Sequence, residues 1–224
     1  MNVVGSSSSD GIKTSAVTSS GIISARSQLR GGTGGQAECV RFNHNGQVLV
    51  GAGKSGVITL WHTNGSVLGE LSRKQDAGKT IRALSFSSGS RYLATGGSDT
   101  VVKVWDLKRR EVIRSFKSHK KSVECVQFSK DADKYIASGD TDGSICLSNV
   151  LTGKLTGMLR DTSETSTSSS CVRSLSFSPH QKTTLLSSHD DGTIRLWDIT
   201  NASSTSAAST SDAPSLVAEF NQAH

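Results

Sequence analysis

Residues 98–138 read SDTVVKVWDLKRREVIRSFKSHKKSVECVQFSKDADKYIAS. Four short runs lie within this stretch, VVKVW, EVIRSF, VECVQF and KYIAS, each rich in Val, Ile or Phe and each set off by charged or polar residues. Runs of this length and composition read as β-strands rather than helices. VECVQF, which ends at Phe128, recurs upstream as AECVRF ending at Phe42 and IRALSF ending at Phe86, and downstream as VRSLSF ending at Phe177. The spacings are 44, 42 and 49 residues. Each copy leads into two further runs: QVLVGAGKSGVITLW, RYLATGGSDTVVKVW, KYIASGDTDGSICLS and TLLSSHDDGTIRLW. These close at Trp61, Trp105, Ser148 and Trp197, and a fourth run follows each time: SVLGEL, EVIRSF, KLTGML and SLVAEF.

Four strands in a unit of about 40–45 residues is the period of a propeller blade. The phrases VVKVWDL and TIRLWDI resemble the end of a WD repeat, and SHKKSVECVQFS resembles the start of one. The resemblance implies an all-β WD40 β-propeller with about four blades, near residues 36–72, 78–118, 119–160 and 168–224. Phe42, Phe86, Phe128 and Phe177 are expected to be buried at equivalent positions. WD repeats normally assemble into rings of about seven blades. Four would therefore be an incomplete, open part of a seven-bladed propeller, with His224 standing after SLVAEF as His119 stands after EVIRSF.

In WD repeats a His before the first strand, a Ser or Thr on the second, an Asp in the next turn and a Trp on the third form a hydrogen-bonded set. It satisfies the Trp N–H inside a packed blade. No blade here has all four. The third has His119, Ser138 and Asp142 but Ser148 for Trp; the second has Thr95, Asp99 and Trp105 but Ala77 for His. The fourth has Ser187, Asp191 and Trp197 but Ser168 for His, and the first keeps only Trp61. All of these are expected to be structural.

The stretch from Ser98 to Ser138, together with ITLWHTNGSVLGEL and the Trp197 blade, resembles the WD-repeat family that targets the γ-tubulin ring complex to microtubule-organising centres, the NEDD-one family. That resemblance implies a role in microtubule nucleation and spindle organisation, with γ-tubulin ring complex components as partners. It also implies a cytoplasmic place at the cytoskeleton, a microtubule-organising centre or the spindle. Family members bind the γ-tubulin complex through a helical tail after the propeller, whereas this sequence stops at NQAH.

Composition agrees with a protein of short strands and tight turns. The apolar fraction is 34%, with 22 Gly. No run approaches the roughly 20 apolar residues of a membrane-spanning helix, and residues 1–10 have no charged region followed by an apolar one. Cys39, Cys125, Cys146 and Cys171 form no CxxC pair, which argues for small core thiols rather than zinc or redox chemistry. The six His, at 44, 62, 119, 180, 189 and 224, lie near no GxSxG, HExxH or P-loop. In His189-Asp190-Asp191 the Asp-Gly step that follows supplies turn geometry. The reading is a non-enzymatic protein-binding scaffold without cofactor or metal.

The net charge is +6, and its densest part is DLKRREVIRSFKSHKK. Lys108, Arg109, Arg110, Arg114, Lys117, Lys120 and Lys121 stand there against Asp106 and Glu111. They fall on the turn after the third strand, the outer fourth strand and the loop beyond it. This is a candidate partner-binding surface for an acidic protein face, and equally the charged edge strand that resists aggregation. No exposed aromatics interleave with it, so the stacking platform of a single-strand nucleic-acid binder is missing. A generic WD adaptor, such as a ubiquitin-ligase or signalling scaffold, is the alternative function, with a nucleic-acid-associated propeller behind it. Residues 1–35, 161–170 and 201–214 are rich in Ser, Gly and Thr and are expected to be disordered, with hydroxyls open to phosphorylation.

Overall fold

A computed structural model describes residues 35–130, 132–160, 170–200 and 215–221. The segments expected to be disordered lie outside these residues except for Gly35 and Ser170. Sixteen strands form four antiparallel sheets of four, each in simple sequence order. Blade 1 holds β1 (Ala37–Phe42), β2 (Val48–Gly53), β3 (Ile58–His62) and β4 (Val67–Leu71). Blade 2 holds β5 (Ile81–Phe86), β6 (Tyr92–Gly97), β7 (Val102–Asp106) and β8 (Glu111–Phe116). Blade 3 holds β9 (Val123–Phe128), β10 (Tyr135–Asp140), β11 (Ile145–Asn149) and β12 (Lys154–Leu159). Blade 4 holds β13 (Val172–Phe177), β14 (Thr184–His189), β15 (Thr193–Asp198) and β16 (Ser215–Asn221). A 3-10 turn, Lys74–Asp76, sits between blades 1 and 2.

Every blade carries two register shifts at matching places. One falls early in the first strand's pairing with the second, as at Ile81/Ala83, and the other falls just before the Trp position, as at Val104/Trp105. The same second shift occurs at Leu60/Trp61, Leu147/Ser148 and Leu196/Trp197. A bulge increases local twist, so four repeats of it give four sheets of the same curvature, able to nest.

The inner strands pack in succession, β1 on β5, β5 on β9 and β9 on β13. The apolar core is accordingly divided into three clusters, one for each seam between neighbouring blades. At the first seam Val50, Ile58 and Leu71 of blade 1 meet Leu84, Phe86, Leu93 and Trp105 of blade 2. Ala94, Val102 and Phe116 meet Val123, Val126 and Phe128 at the second. Ala137, Ile145 and Leu159 meet Val172, Leu175 and Phe177 at the third. Gly96 and Gly139 are required here: a Cβ on Gly96 would stand 2.5 Å from Val123, and one on Gly139 2.6 Å from Val172.

Phe86, Phe128 and Phe177 are 6%, 2% and 4% exposed, but Phe42 is 62% exposed, which corrects the expectation that all four are buried. The physical cause is that this Phe packs on the preceding blade, and no described residue covers that face of β1. Blade 4 shows the complementary case: Leu186, Ile194 and Phe220, at the positions buried in every other blade, are 40%, 41% and 56% exposed. Among the described residues each end of the run thus offers one half of a seam.

Removing a seam Phe leaves a cavity as well as losing burial. Phe128→Ala should therefore destabilise the protein by about 3–5 kcal/mol in urea unfolding, while Phe42→Ala changes stability by about 0.5 kcal/mol or less. Equal losses for the two variants would contradict the seam assignment.

Candidate functional site

Beneath each blade's second and third strands the polar residues solve the same problem in different ways. In blade 2 the Trp105 indole N–H donates to Thr95 Oγ1 at 3.1 Å. The buried Lys103 ammonium is held by Asp76, at 2.7 Å, and by Asp99. Asp76 comes from the 3-10 turn, one residue before Ala77, and so supplies the polar group that the expected His would have brought. A buried cation needs such partners.

In blade 3 His119 joins Ser138 and an Asp, and the structure corrects which Asp. Nδ1 lies 2.8 Å from Asp140 Oδ2, and Nε2 lies 2.7 Å from Ser138 Oγ. Asp140 takes the imidazole rather than Asp142 because it ends β10 beneath the ring, whereas Asp142 stands in the turn, its amide donating to Asp140 Oδ1. Burial works to raise the Asp140 carboxyl, and the hydrogen bonds from His119 and the Ser144 amide outweigh it, leaving the group below the ordinary carboxylate range. Ionised Asp140 therefore accepts a hydrogen bond from Nδ1–H, and Nε2 faces the Ser138 hydroxyl. The same atoms in an open cleft would make a Ser–His–Asp relay. Here all three side chains are buried, and Ser138 Oγ also lies 3.4 Å from the Cys146 carbonyl. The set acts as an internal strut.

Blade 4 uses a residue that the sequence reading assigned to a turn. Trp197 donates to Ser187 Oγ at 2.8 Å, and that hydroxyl lies 2.8 Å from His189 Nε2. His189 stands where blade 3 has Asp140, so the imidazole enters from the strand's end instead of the preceding loop. Asp191 caps the turn through the Thr193 amide at 2.9 Å and reaches Arg195 at 3.2 Å. Its neighbour Asp190 pairs with Arg173. In blade 1 Gly51 replaces the Ser or Thr, and the Trp61 indole nitrogen has no hydrogen-bond partner among the described residues. Burial pushes the thiols of Cys39, Cys125 and Cys146 up to about 12, so they stay protonated.

The basic segment divides by geometry. Lys108, Arg109, Arg110, Arg114, Lys117, Lys120 and Lys121 are all exposed. Asp106 caps its turn by accepting from the amides of Lys108 and Arg109, and these bonds, the Arg109 amide foremost, hold its carboxyl below the usual range. Two arginines bridge blades. Arg110 donates to Leu68 O of β4 at 2.8 Å, and Arg114 donates to Val150 O at 3.1 Å and Leu151 O at 3.3 Å in the turn of blade 3. Arg109 has only a loose pair with Glu111 at 3.4 Å. The side chains of Lys108, Lys117, Lys120 and Lys121 make no hydrogen bond or ion pair among the described residues, which leaves an uncompensated basic edge on blade 2 and the loop into blade 3.

Against protein-family models, residues 66–106, 110–148 and 160–198 match "WD domain, G-beta repeat", more than half of the chain. The chain belongs to the WD-repeat family. The first two matched segments each begin with the outer strand of one blade and run through the three inner strands of the next, so each WD repeat spans a seam. Among curated proteins, Protein NEDD1 of Homo sapiens is 38% identical over 126 residues, 56% of this chain and 18% of its own. Methylosome protein WDR77 of Xenopus laevis is 33% identical over 98 residues, 43% of this chain and 29% of its own. Small ribosomal subunit protein RACK1z of Oryza sativa subsp. japonica is 31% identical over 121 residues, 51% of this chain and 35% of its own. The matched part spans about a third or less of each relative. As a WD-repeat protein the chain is a protein-interaction scaffold.

Asp76, Lys103 and Asp140 were not singled out by pattern, and His189 was read only as part of a turn. A signal existed for Lys103, a charge at an inward position of VKVW, and for Asp140, the strand's last residue in IASGD. Asp140→Ala removes the partner of a buried imidazole and should cost about 2–3 kcal/mol at neutral pH. Asp142→Ala should cost clearly less, on the order of 1 kcal/mol. Because the folded Asp140 carboxyl titrates below its unfolded value, its contribution is present above about pH 4 and is lost as pH falls through the folded value. The gap between wild type and Asp140→Ala should therefore close in acid unfolding curves, and a gap that widens below pH 4 would contradict the pairing.

Proposed function

We propose that this WD-repeat scaffold presents the basic outer edge of blade 2 to an acidic protein surface, and that it serves the recruitment of the γ-tubulin ring complex in microtubule nucleation. The observation that carries the docking surface is the row of exposed cations without internal partners, Lys108, Lys117, Lys120 and Lys121, joined by the loosely paired Arg109. The microtubule role rests on the family resemblance of residues 98–138 and the likeness to human Protein NEDD1. On this reading the protein works at microtubule-organising centres and the spindle without catalysing a reaction. A generic WD adaptor is the second reading, favoured by the spread of relatives, which include a methylosome protein and a small ribosomal subunit protein.

Arg110 and Arg114 bridge blades, so they are left intact in the test. A fluorescently tagged protein should concentrate at microtubule-organising centres, and the triple variant Arg109→Glu, Lys117→Glu, Lys121→Glu should lose about tenfold or more of that enrichment. Its unfolding midpoint should stay near wild type, since exposed charges add little stability. A wild-type protein spread evenly through the cell would remove the γ-tubulin reading and leave the generic adaptor. Unchanged enrichment of the variant would return the basic edge to a solvated surface.

A further inference from the structure

Where the seam between blades 1 and 2 reaches the outer edge it opens into a groove of 330 Å³. Leu60, Leu68, Leu71 and Leu107 provide its apolar lining, and Phe86 lies at its inner end. Leu68 is half-exposed there. Three cations, Arg91, Lys108 and Arg110, stand among the lining residues, and no Asp or Glu is among them. Arg91 is partly engaged by the buried Asp106 at 3.3 Å, and Lys108 has no side-chain partner among the described residues.

Arg110 adds an independent observation. Its φ is 58°, a left-handed conformation that costs a side-chain-bearing residue and that Gly153 adopts at the matching place in blade 3, with φ 72°. A Gly would suit the turn, yet an arginine occupies it. The guanidinium crosses the seam to Leu68 O at 2.8 Å and lies over Gly69, where a Cβ would come within 2.7 Å of Nη1. One of its five N–H donors is taken by that carbonyl, so others remain for a carboxylate. Backbone strain held in this way marks a position whose side chain does something a relaxed residue would not.

We propose that this groove docks an acidic peptide segment that inserts one large apolar side chain between blades 1 and 2. The side chain rests on Leu60, Leu68 and Leu107, and flanking Asp or Glu residues meet Lys108, Arg110 and Arg91. Its volume is at the low end for ligand pockets, suited to a side chain or two. The cations continue along the chain into Arg109 and Lys117, which suits an extended acidic segment better than a lipid. This inference rests on the reading that the basic edge faces an acidic partner, and it places the anchor of that contact.

The test is fluorescence anisotropy on the full chain with a labelled peptide of Asp and Glu around one central Phe, compared with the same peptide carrying Ser there. The Phe peptide should bind about tenfold more tightly. Leu68→Asp should remove that advantage, and Lys108→Glu, an exposed substitution that leaves the fold intact, should weaken both peptides by about tenfold, so that unchanged binding of both to Lys108→Glu would overturn the proposal even should Leu68→Asp not fold. Equal binding of the Phe and Ser peptides with retained salt dependence would overturn the groove and leave the basic edge standing. Loss of all salt dependence would overturn both. Binding of anionic phospholipid vesicles that outcompetes the Phe peptide would also overturn the peptide assignment.

Discussion

The structure depends on the seam between blades. A single four-stranded sheet of this size has two faces and little interior, so it is stable only where a neighbour covers it. The covering element is the same each time: a Phe at the end of the innermost strand, set against three apolar positions of the blade before it. Burying one such ring contributes about 1.5–3 kcal/mol. The strand glycines let the next blade's Val123 and Val172 approach closely enough to close the layer. A WD repeat begins with the outer strand of one blade and ends in the next, so the sequence unit and the seam coincide.

Polar chemistry inside the blades follows from that packing. Closing the seams buries Trp indoles and the turns beside them, and each buried donor then requires an acceptor. Blade 2 meets the demand with Thr95 and an Asp76–Lys103–Asp99 set, blade 3 with Ser138, His119 and Asp140, and blade 4 with Ser187 and His189. Blade 1, with Gly51 in place of a hydroxyl, leaves the Trp61 nitrogen unmet among the described residues. The outer edge obeys a different rule, since charges there stay in water. Arg110 and Arg114 span adjacent blades, while the lysines beside them make no side-chain hydrogen bond or ion pair among the described residues.

Strand identity and the four-blade repeat were legible in the sequence because alternating apolar runs recur at a nearly constant period, with Phe86, Phe128 and Phe177 as fixed points. Phe42 misled for the same reason: its local pattern is identical, and burial depends on what lies across the seam. Asp142 misled because it stands four residues after Ser138, as Asp99 stands four after Thr95 and Asp191 four after Ser187, while a two-residue difference in where the carboxylate leaves the strand decides which Asp lies beneath the imidazole. The bulges and the left-handed Arg110 left no trace in composition or periodicity. The basic edge was visible as a charge run, but its division into bridging arginines and unpaired lysines required the positions of carbonyls in the neighbouring blades.

Amide hydrogen exchange on the purified 224-residue chain, resolved strand by strand, tests the seam account most directly. The account predicts slowest exchange in β6, β7, β10 and β11, which lie between covered faces, and fastest exchange in β1, β4 and β16, where Phe42, Leu68 and Phe220 are exposed. Protection of β1 and β16 equal to that of β10 would contradict it.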